Sequence, residues 1–388
     1  MKILTIGPSP TLLTSGGDIN RSIIEKAIDQ NWEVESLVWH HNVEYFLPNQ
    51  IGKHFFPAKK SVRLHPFLDP KGMMALFAFE TMKEVQPDVV ITIGNYYEVD
   101  FVAALKSLYG NLFKWIAVIT CGEKQILDQF SVNLSLADEI VVTTISGTEA
   151  IKKNIPKVKY LPYGPSSDFF ASHVSSDFKI INMGKNSQMS NLPALIFAAA
   201  EAEITTTLHT NIHDHNGDYD IQTLLSQSNP NIFSLPKTYT SIKDGCPRED
   251  IIKQYSNHTL IVDCSLQSNT ALTLLEGMAS GCIPVGTDTG AMGEILDLMP
   301  SWCRFVVPHA ECVSPKRCEK TSIILQKELS KILVKIRHKS QNLKWLEAAS
   351  LEAIKVAEKF RKEVFLDKIK EMVENVLTKE HFINVDTF

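Results

Sequence analysis

At 388 residues, with 44% hydrophobic and 21% charged side chains, the chain has the composition of a globular protein of two or three domains. Its 39 basic and 44 acidic residues give a formal net charge of −5, which offers no whole-protein electrostatic footprint for nucleic acid. Seven cysteines, an odd number scattered from Cys121 to Cys318, argue against a disulfide framework, and no apolar run is long enough to span a bilayer.

The opening MKILTIGPSP reads as a buried strand over residues 2–7 rather than a signal peptide, because its apolar core is short and turn residues follow at once. A cytoplasmic protein is expected. The loop PSPTLLTSGGD leads to a helix from about Ile19 to Gln30, with Ile23, Ile24, Ala27 and Ile28 at helical spacing, and WEVESLVW closes a βαβ unit. That order places Gly16 and Gly17 at the C-terminal end of the first strand, where open α/β sheets bind ligands and where a missing Cβ lets backbone approach a phosphate or sugar. Residues 43–75 are rich in Phe, Pro, His and Lys and show little periodicity, the character of a substrate-specific loop. Strand signals resume at DVVITI (88–93), WIAVIT (115–120) and EIVVT (139–143), separated by helical stretches, which predicts a doubly wound parallel sheet.

Pro162 and Gly164 punctuate the end of that series, so a domain boundary is expected near residues 163–175. This gives an N-terminal Rossmann-like domain over 1–170, a second over 171–360 and a C-terminal helix over 361–388. The next strand, FKIINMG, runs into Gly184 and Lys185. The segment HTNIHDHNGDYD (209–220) fails the calcium-loop template, since Tyr219 stands where glycine is required and Leu225 where the bidentate Glu belongs. It reads as a solvated loop. Cys303, His309, Cys312 and Cys318 match no zinc spacing, so no metal site is expected.

Residues 265–294, SLQSNTALTLLEGMASGCIPVGTDTGAMGE, follow the apolar run LIVDC. Ser268 and Asn269 offer side-chain caps for a helix with Leu272, Leu275 and Met278 at helical spacing, ending at Gly281. A buried strand, CIPVG, and a turn, TDTG, then open another helix near Ala291. Two helix N-termini at the ends of parallel strands would carry unpaired N–H groups suited to a diphosphate. Glu276, two turns along, is placed to accept hydrogen bonds from vicinal sugar hydroxyls. From Thr321 to Glu380 the pattern is amphipathic helix.

The order Glu276, Met278, Ala279, Gly281, Pro284, Val285, Gly290, Glu294 resembles the EAMAxGxPVV…GGxxE signature of the retaining, nucleotide-sugar-dependent glycosyltransferases of family four. Pro162, Gly164, Asp168 and Phe170 match that family's VxxIPNGVDxxxF stretch. The resemblance implies an α/β GT-B fold, two Rossmann-like domains facing each other across a cleft, with the last helix crossing back. It further implies a hexosyltransferase that takes a nucleoside diphosphate sugar, with a UDP-sugar the expected donor, and requires no cofactor or metal. The acceptor hydroxyl, on a glycan, a lipid-linked sugar, a small molecule or nucleic acid, would meet the first domain. Donor contacts fall on Gly16, Gly17, Gly184, Lys185, Asn269, Thr270, Ala271, Leu272 and Glu276, and catalytic roles on Lys185, Ser268 and Glu123.

The chain also departs from the family. Where the family reads GRxxxxKN, Lys185 takes the Arg position and Ser190 replaces the Lys; a lysine is a point charge rather than a bidentate fork. TCGEK lacks the family's His and leaves Glu123 as the acidic contact, and the first Glu of the EX7E pair is Ser268. Two alternatives therefore stand beside the transferase: a catalytically inactive GT-B binding or regulatory protein, and a glycosyltransferase acting on modified DNA bases.

Overall fold

The computed structural model describes residues 1–10, 14–39, 62–66, 74–122, 128–170, 175, 177–184, 186–210, 219–235, 248–266, 268–313 and 320–378. The chain forms two compact units, Met1–Tyr163 with Glu363–Phe388, and Gly164–Lys362.

In the first unit, β1 (Lys2–Pro8), β2 (Glu33–Trp39), β3 (Arg63–Pro66), β4 (Val89–Gly94), β5 (Lys114–Ile119), β6 (Glu139–Val142) and β7 (Lys159–Tyr160) make one seven-stranded sheet. Its order is β3-β2-β1-β4-β5-β6-β7, and every pairing is parallel. The strand VVITIG is buried along its whole length, as expected of a parallel sheet covered on both faces. In the second unit, β8 (Ile180–Met183), β9 (Thr206–His209), β10 (Phe233–Ser234), β11 (Leu260–Asp263), β12 (Ile283–Thr287) and β13 (Phe305–Val307) make a six-stranded sheet in the order β10-β9-β8-β11-β12-β13. Each sheet therefore winds outward from its first strand and then reverses, between β1 and β4 and between β8 and β11. Those reversals are where the loops at the strands' C-terminal ends diverge and ligands of such sheets bind.

Several elements differ from the sequence reading. The first helix begins at Ser15 rather than Ile19, because the Thr14 hydroxyl accepts from the Gly17 amide at 3.2 Å and caps it. Gly16 and Gly17 thus sit in a helical first turn. The stretch expected to be helical from Thr321 instead opens with β15 (Lys320–Ile324), antiparallel to β14 (His309–Val313); TSII is β-branched enough to favour a strand, and the helix starts at Gln326. Within 43–75, Arg63–Pro66 is an edge strand, while 40–61 and 67–73 lie outside the described residues. Of HTNIHDHNGDYD, His209 ends β9 and Asp220 caps the Ile221–Ser226 helix, and 211–218 lie outside the description. Among the described residues no group of His, Cys, Asp or Glu could hold a metal ion.

The Leu272–Ala279 helix ends in a Schellman motif: Gly281 has φ +92°, its amide donates to Met278 O at 3.0 Å, and the Cys282 amide donates to Gly277 O at 2.9 Å. The Gly290–Asp297 helix begins on Gly290 with φ +51°, and a Cβ there would overlap the Ser268 carbonyl oxygen. Both constraints act on one residue. Gly290→Ala is expected to cost about 2–3 kcal/mol of stability, read as a lowered urea midpoint; an unchanged midpoint would refute the close approach.

Candidate functional site

The candidate site starts from the way β8 and β11 separate. They share two register pairs, Ile180↔Leu260 and Ile181↔Ile261, and then part. Beyond that point the Asn182 amide Nδ2 donates to Val262 O at 2.8 Å, a side chain standing in for the lost ladder bond. Further out the two loops meet again, where Leu266 N donates to Met189 O at 2.7 Å. Gly184, whose amide donates to His209 O at 3.2 Å, faces open space: a Cβ added to it would meet nothing within 4 Å. Lys185, the next residue, lies outside the described residues, as does Glu123.

The loop after β11 is organised by a buried carboxylate. Asp263 Oδ1 accepts from the Ser265 amide at 2.9 Å and the Ser265 hydroxyl at 2.5 Å, and Oδ2 lies 3.5 Å from Thr273 Oγ1. Burial raises its pKa, and the Ser265 and Thr273 bonds offset part of that rise. Ser265 O in turn accepts from Thr287 Oγ1 at 2.7 Å and Thr289 Oγ1 at 3.3 Å, which ties the loop to the end of β12. Ser268 is committed twice: its hydroxyl accepts from the Ala271 amide and its carbonyl from the Ala291 amide, both at 2.9 Å. Asn269 is half-buried, while Thr270 and Ala271 are buried.

Ala271 adopts φ +47°, ψ +37°, and the helix that starts at Leu272 has no side-chain cap. This corrects the expectation that Ser268 and Asn269 cap it. Thr14, Asn95, Thr144, Asp220 and Asn342 each cap the helix that follows them, whereas Leu272–Ala279, like Phe101–Tyr109, Leu192–Glu201, Gly290–Asp297 and Gln326–Ser340, begins without a side-chain cap. The first-turn amides of Leu272–Ala279 have no intrahelical acceptor, and the helix dipole adds partial positive charge at that end. The neighbouring Gly290–Asp297 helix also lacks a side-chain cap, but Ser268 O occupies its Ala291 amide.

Glu276 is half-buried on the same helix. The hydroxyl of the fully buried Tyr255 donates to Thr273 O at 3.1 Å and lies 3.4 Å from Glu276 Oε2. Burial, then the Glu276 charge, push that hydroxyl's pKa well above its usual value, so it stays a donor. Ser190, at the position of the family's second cation, is spent locally: its hydroxyl donates to Ser187 O at 2.6 Å and accepts from the Ser187 amide at 3.2 Å. In the second unit Gly184 follows β8 and Ser268–Leu272 follow β11, both at the C-terminal ends of adjacent parallel strands, with Glu276 on the helix that Leu272 opens. Gly16 and Gly17 belong to the first unit, where a Cβ on Gly16 would lie 2.9 Å from Pro8 Cγ, so packing alone accounts for that glycine. Sequence reasoning missed Asn182, Tyr255 and Asp263; the readable signal was an aspartate closing an otherwise apolar run, LIVD.

No family model matches the chain, and no curated protein does. Solved structures do. Sucrose-phosphate synthase from Thermosynechococcus elongatus aligns with a TM-score of 0.72 at 14% identity over 98% of this chain and 100% of that one. The pneumococcal O-GlcNAc transferase GtfA, in complex with UDP and GlcNAc, aligns at 0.64 and 13% identity over 97% and 99%. TarM of S. aureus, in a complex that includes UDP, aligns at 0.65 and 10% over 95% and 99%. The chain has the GT-B fold. Within that GT-B architecture the parting of β8 and β11 is the reversal point of the second sheet.

His209, at the end of β9 beside Gly184, is buried, and burial lowers its pKa from 6.5 to about 4. A depressed folded-state pKa means that the unfolded chain binds the proton first, so this stability is present above pH 6.5 and is lost as pH falls towards 4. Wild type should lose about 3 kcal/mol more than His209→Gln between pH 7 and pH 4, measured by urea unfolding at each pH. Parallel pH profiles for the two proteins would refute the burial of a neutral imidazole.

Proposed function

We propose that the chain transfers a hexosyl group from a nucleoside diphosphate sugar, with UDP the expected nucleotide, to an acceptor hydroxyl with retention of configuration. The observation that carries this reading is the uncapped N-terminal turn of Leu272–Ala279 where β8 and β11 part. It is supported by fold neighbours that include a sucrose-phosphate synthase and an O-GlcNAc transferase with UDP bound.

The chemical demand is departure of a diphosphate from an oxocarbenium-like sugar. Amides of the open turn, aimed at that leaving group, stabilise charge that grows in the transition state and need no reorganisation to do so. Lys185, following Gly184 at the strand end, adds one cation, in a role that calls for no metal. Glu276, within reach of Tyr255, accepts hydrogen bonds from ribose or sugar hydroxyls rather than attacking the sugar. Retention follows if the acceptor hydroxyl is held on the face the diphosphate leaves, a matter of positioning in which Glu123 serves as the acidic contact.

A second reading, a GT-B protein that binds nucleotide without turnover, is favoured by Ser268 and Ser190. Both stand where the resembled family carries charged side chains, and both hydroxyls are committed to local backbone bonds.

Titration calorimetry with UDP and UDP-sugars, together with assays of sugar transfer and donor hydrolysis, tests both readings. Lys185→Ala should lower turnover by roughly 10²-fold or more, and Glu276→Gln should weaken donor binding by roughly 10- to 100-fold through loss of charge-assisted bonds. Loss of nucleotide affinity in both variants with no turnover in wild type would select the binding protein. Full affinity and turnover in both would refute the site.

A further inference from the structure

Three crossover helices of the first unit, Phe101–Tyr109, Asp128–Leu134 and Ile145–Lys152, join β4 to β5, β5 to β6 and β6 to β7. The strands advance one step at a time in a single direction, so right-handed crossovers place all three helices on one face of the sheet. Direct bonds fix them side by side: Asn133 Nδ2 to Asp100 Oδ1 at 2.7 Å, Asn154 Nδ2 to Ser131 Oγ at 3.2 Å, and Lys157 Nζ to Ser135 O at 3.0 Å.

What these helices turn outward is unusual. Leu108 is 74% exposed, Leu112 77%, Val132 67% and Leu136 42%. The other exposed residues described between 101 and 137 are Ala104, Ser107, Gly110 and Ser135, so none of them carries a charge. Lys106, the lone cation of Phe101–Tyr109, is turned inward, its Nζ 2.6 Å from Phe113 O and 2.9 Å from Asp138 Oδ2. Single exposed leucines are ordinary, but four aliphatic tips with no charge among the exposed described residues of the same stretch are not.

The third helix borders this face with cations. Residues 152–159, KKNIPKVK, hold four lysines and no acid; Lys152, Lys153 and Lys157 are exposed, and Lys159 pairs with Glu139 at 2.6 Å. Glu149 is exposed one turn earlier, and on the far side Met74–Val85 exposes Leu76 and Phe77 together with Glu80, Lys83 and Glu84. Aliphatic tips beside a lysine cluster match a layer of anionic headgroups over acyl chains, with apolar side chains entering the boundary and ammonium groups meeting phosphates. The four aliphatic tips include no aromatic anchor of the kind protein interfaces favour, while Phe77 and Tyr97 are exposed on flanking helices, where rings also suit the headgroup boundary.

We propose that this face of the first unit seats on the surface of an anionic bilayer. The attachment is peripheral, since no helix among the described residues is long and apolar enough to cross a membrane. It is independent of the donor site and of the transferase reading.

Co-sedimentation of the full chain with vesicles of phosphatidylcholine, with and without phosphatidylglycerol, tests it. Wild type should pellet with the anionic vesicles only, and less as salt is raised. Lys152→Gln with Lys153→Gln should weaken partitioning by roughly twenty-fold or more, and Leu108→Ser with Leu112→Ser by roughly tenfold or more. All four positions are exposed, so circular dichroism of each double variant should match wild type. No preference for anionic vesicles, or equal binding by both variants, would overturn the proposal. So would a dimer in sedimentation velocity that Leu108→Ser with Leu112→Ser dissolves while vesicle binding is absent, which would assign the face to a second copy of the chain.

Discussion

The parting of β8 from β11 after two residue pairs is the constraint on which the second unit's chemistry rests. Two strands that separate leave backbone groups without ladder partners, and a buried carbonyl or amide left alone costs free energy comparable to a lost hydrogen bond. Here the gap is spanned by Asn182 reaching Val262 O, and the loops are rejoined by Leu266 and Met189. Asp263 fixes the start of the loop, and Ser268 fixes its end against Ala291. At the start of Leu272–Ala279 the N-cap position is Ala271, which has no side-chain acceptor to offer the first turn.

Charge in this region is governed by dehydration. Burial raises the carboxyl pKa of Asp263 and depresses that of His209, so each group is pressed towards its neutral form at opposite ends of the pH scale. Asp263 resists through the Ser265 amide and hydroxyl.

Much of the architecture was legible in the residues. VVITI and WIAVI are uninterrupted apolar runs of a length that suits buried parallel strands, and the glycine after MAS marks a helix end that the Schellman bonds of Gly281 explain. Placing Gly184 and Ser268–Leu272 at strand ends followed from reading those strands correctly. The cap was misread because serine and asparagine before an apolar helix are the usual capping residues, and nothing in the letters shows that an alanine takes the left-handed conformation between them and the helix. The β14–β15 pair was hidden for a related reason: its apolar residues also fit the helical period of the segment that follows. Tyr255 and Asn182 act through contacts with residues distant in sequence, Thr273 and Val262, which periodicity does not encode.

The first unit is discontinuous: Glu363–Phe388 belongs with Met1–Tyr163, while Gly164–Lys362 is one uninterrupted length. Phe365, Ile369 and Val373 are buried, Ile369 and Val373 border the same small cavity as Ile3, Ile23 and Ile91, and the Phe365 ring lies 5.0 Å from that of Tyr163. Synthesis from the N-terminus therefore delivers every residue of the second unit before the first has its last wall. The unit that begins first must finish folding last, with β1 and the Ser15–Asp29 helix uncovered on a ribosome-bound chain until the Lys362–Thr378 helix emerges. Removing that helix would not shorten a tail; it would open the core of the N-terminal unit.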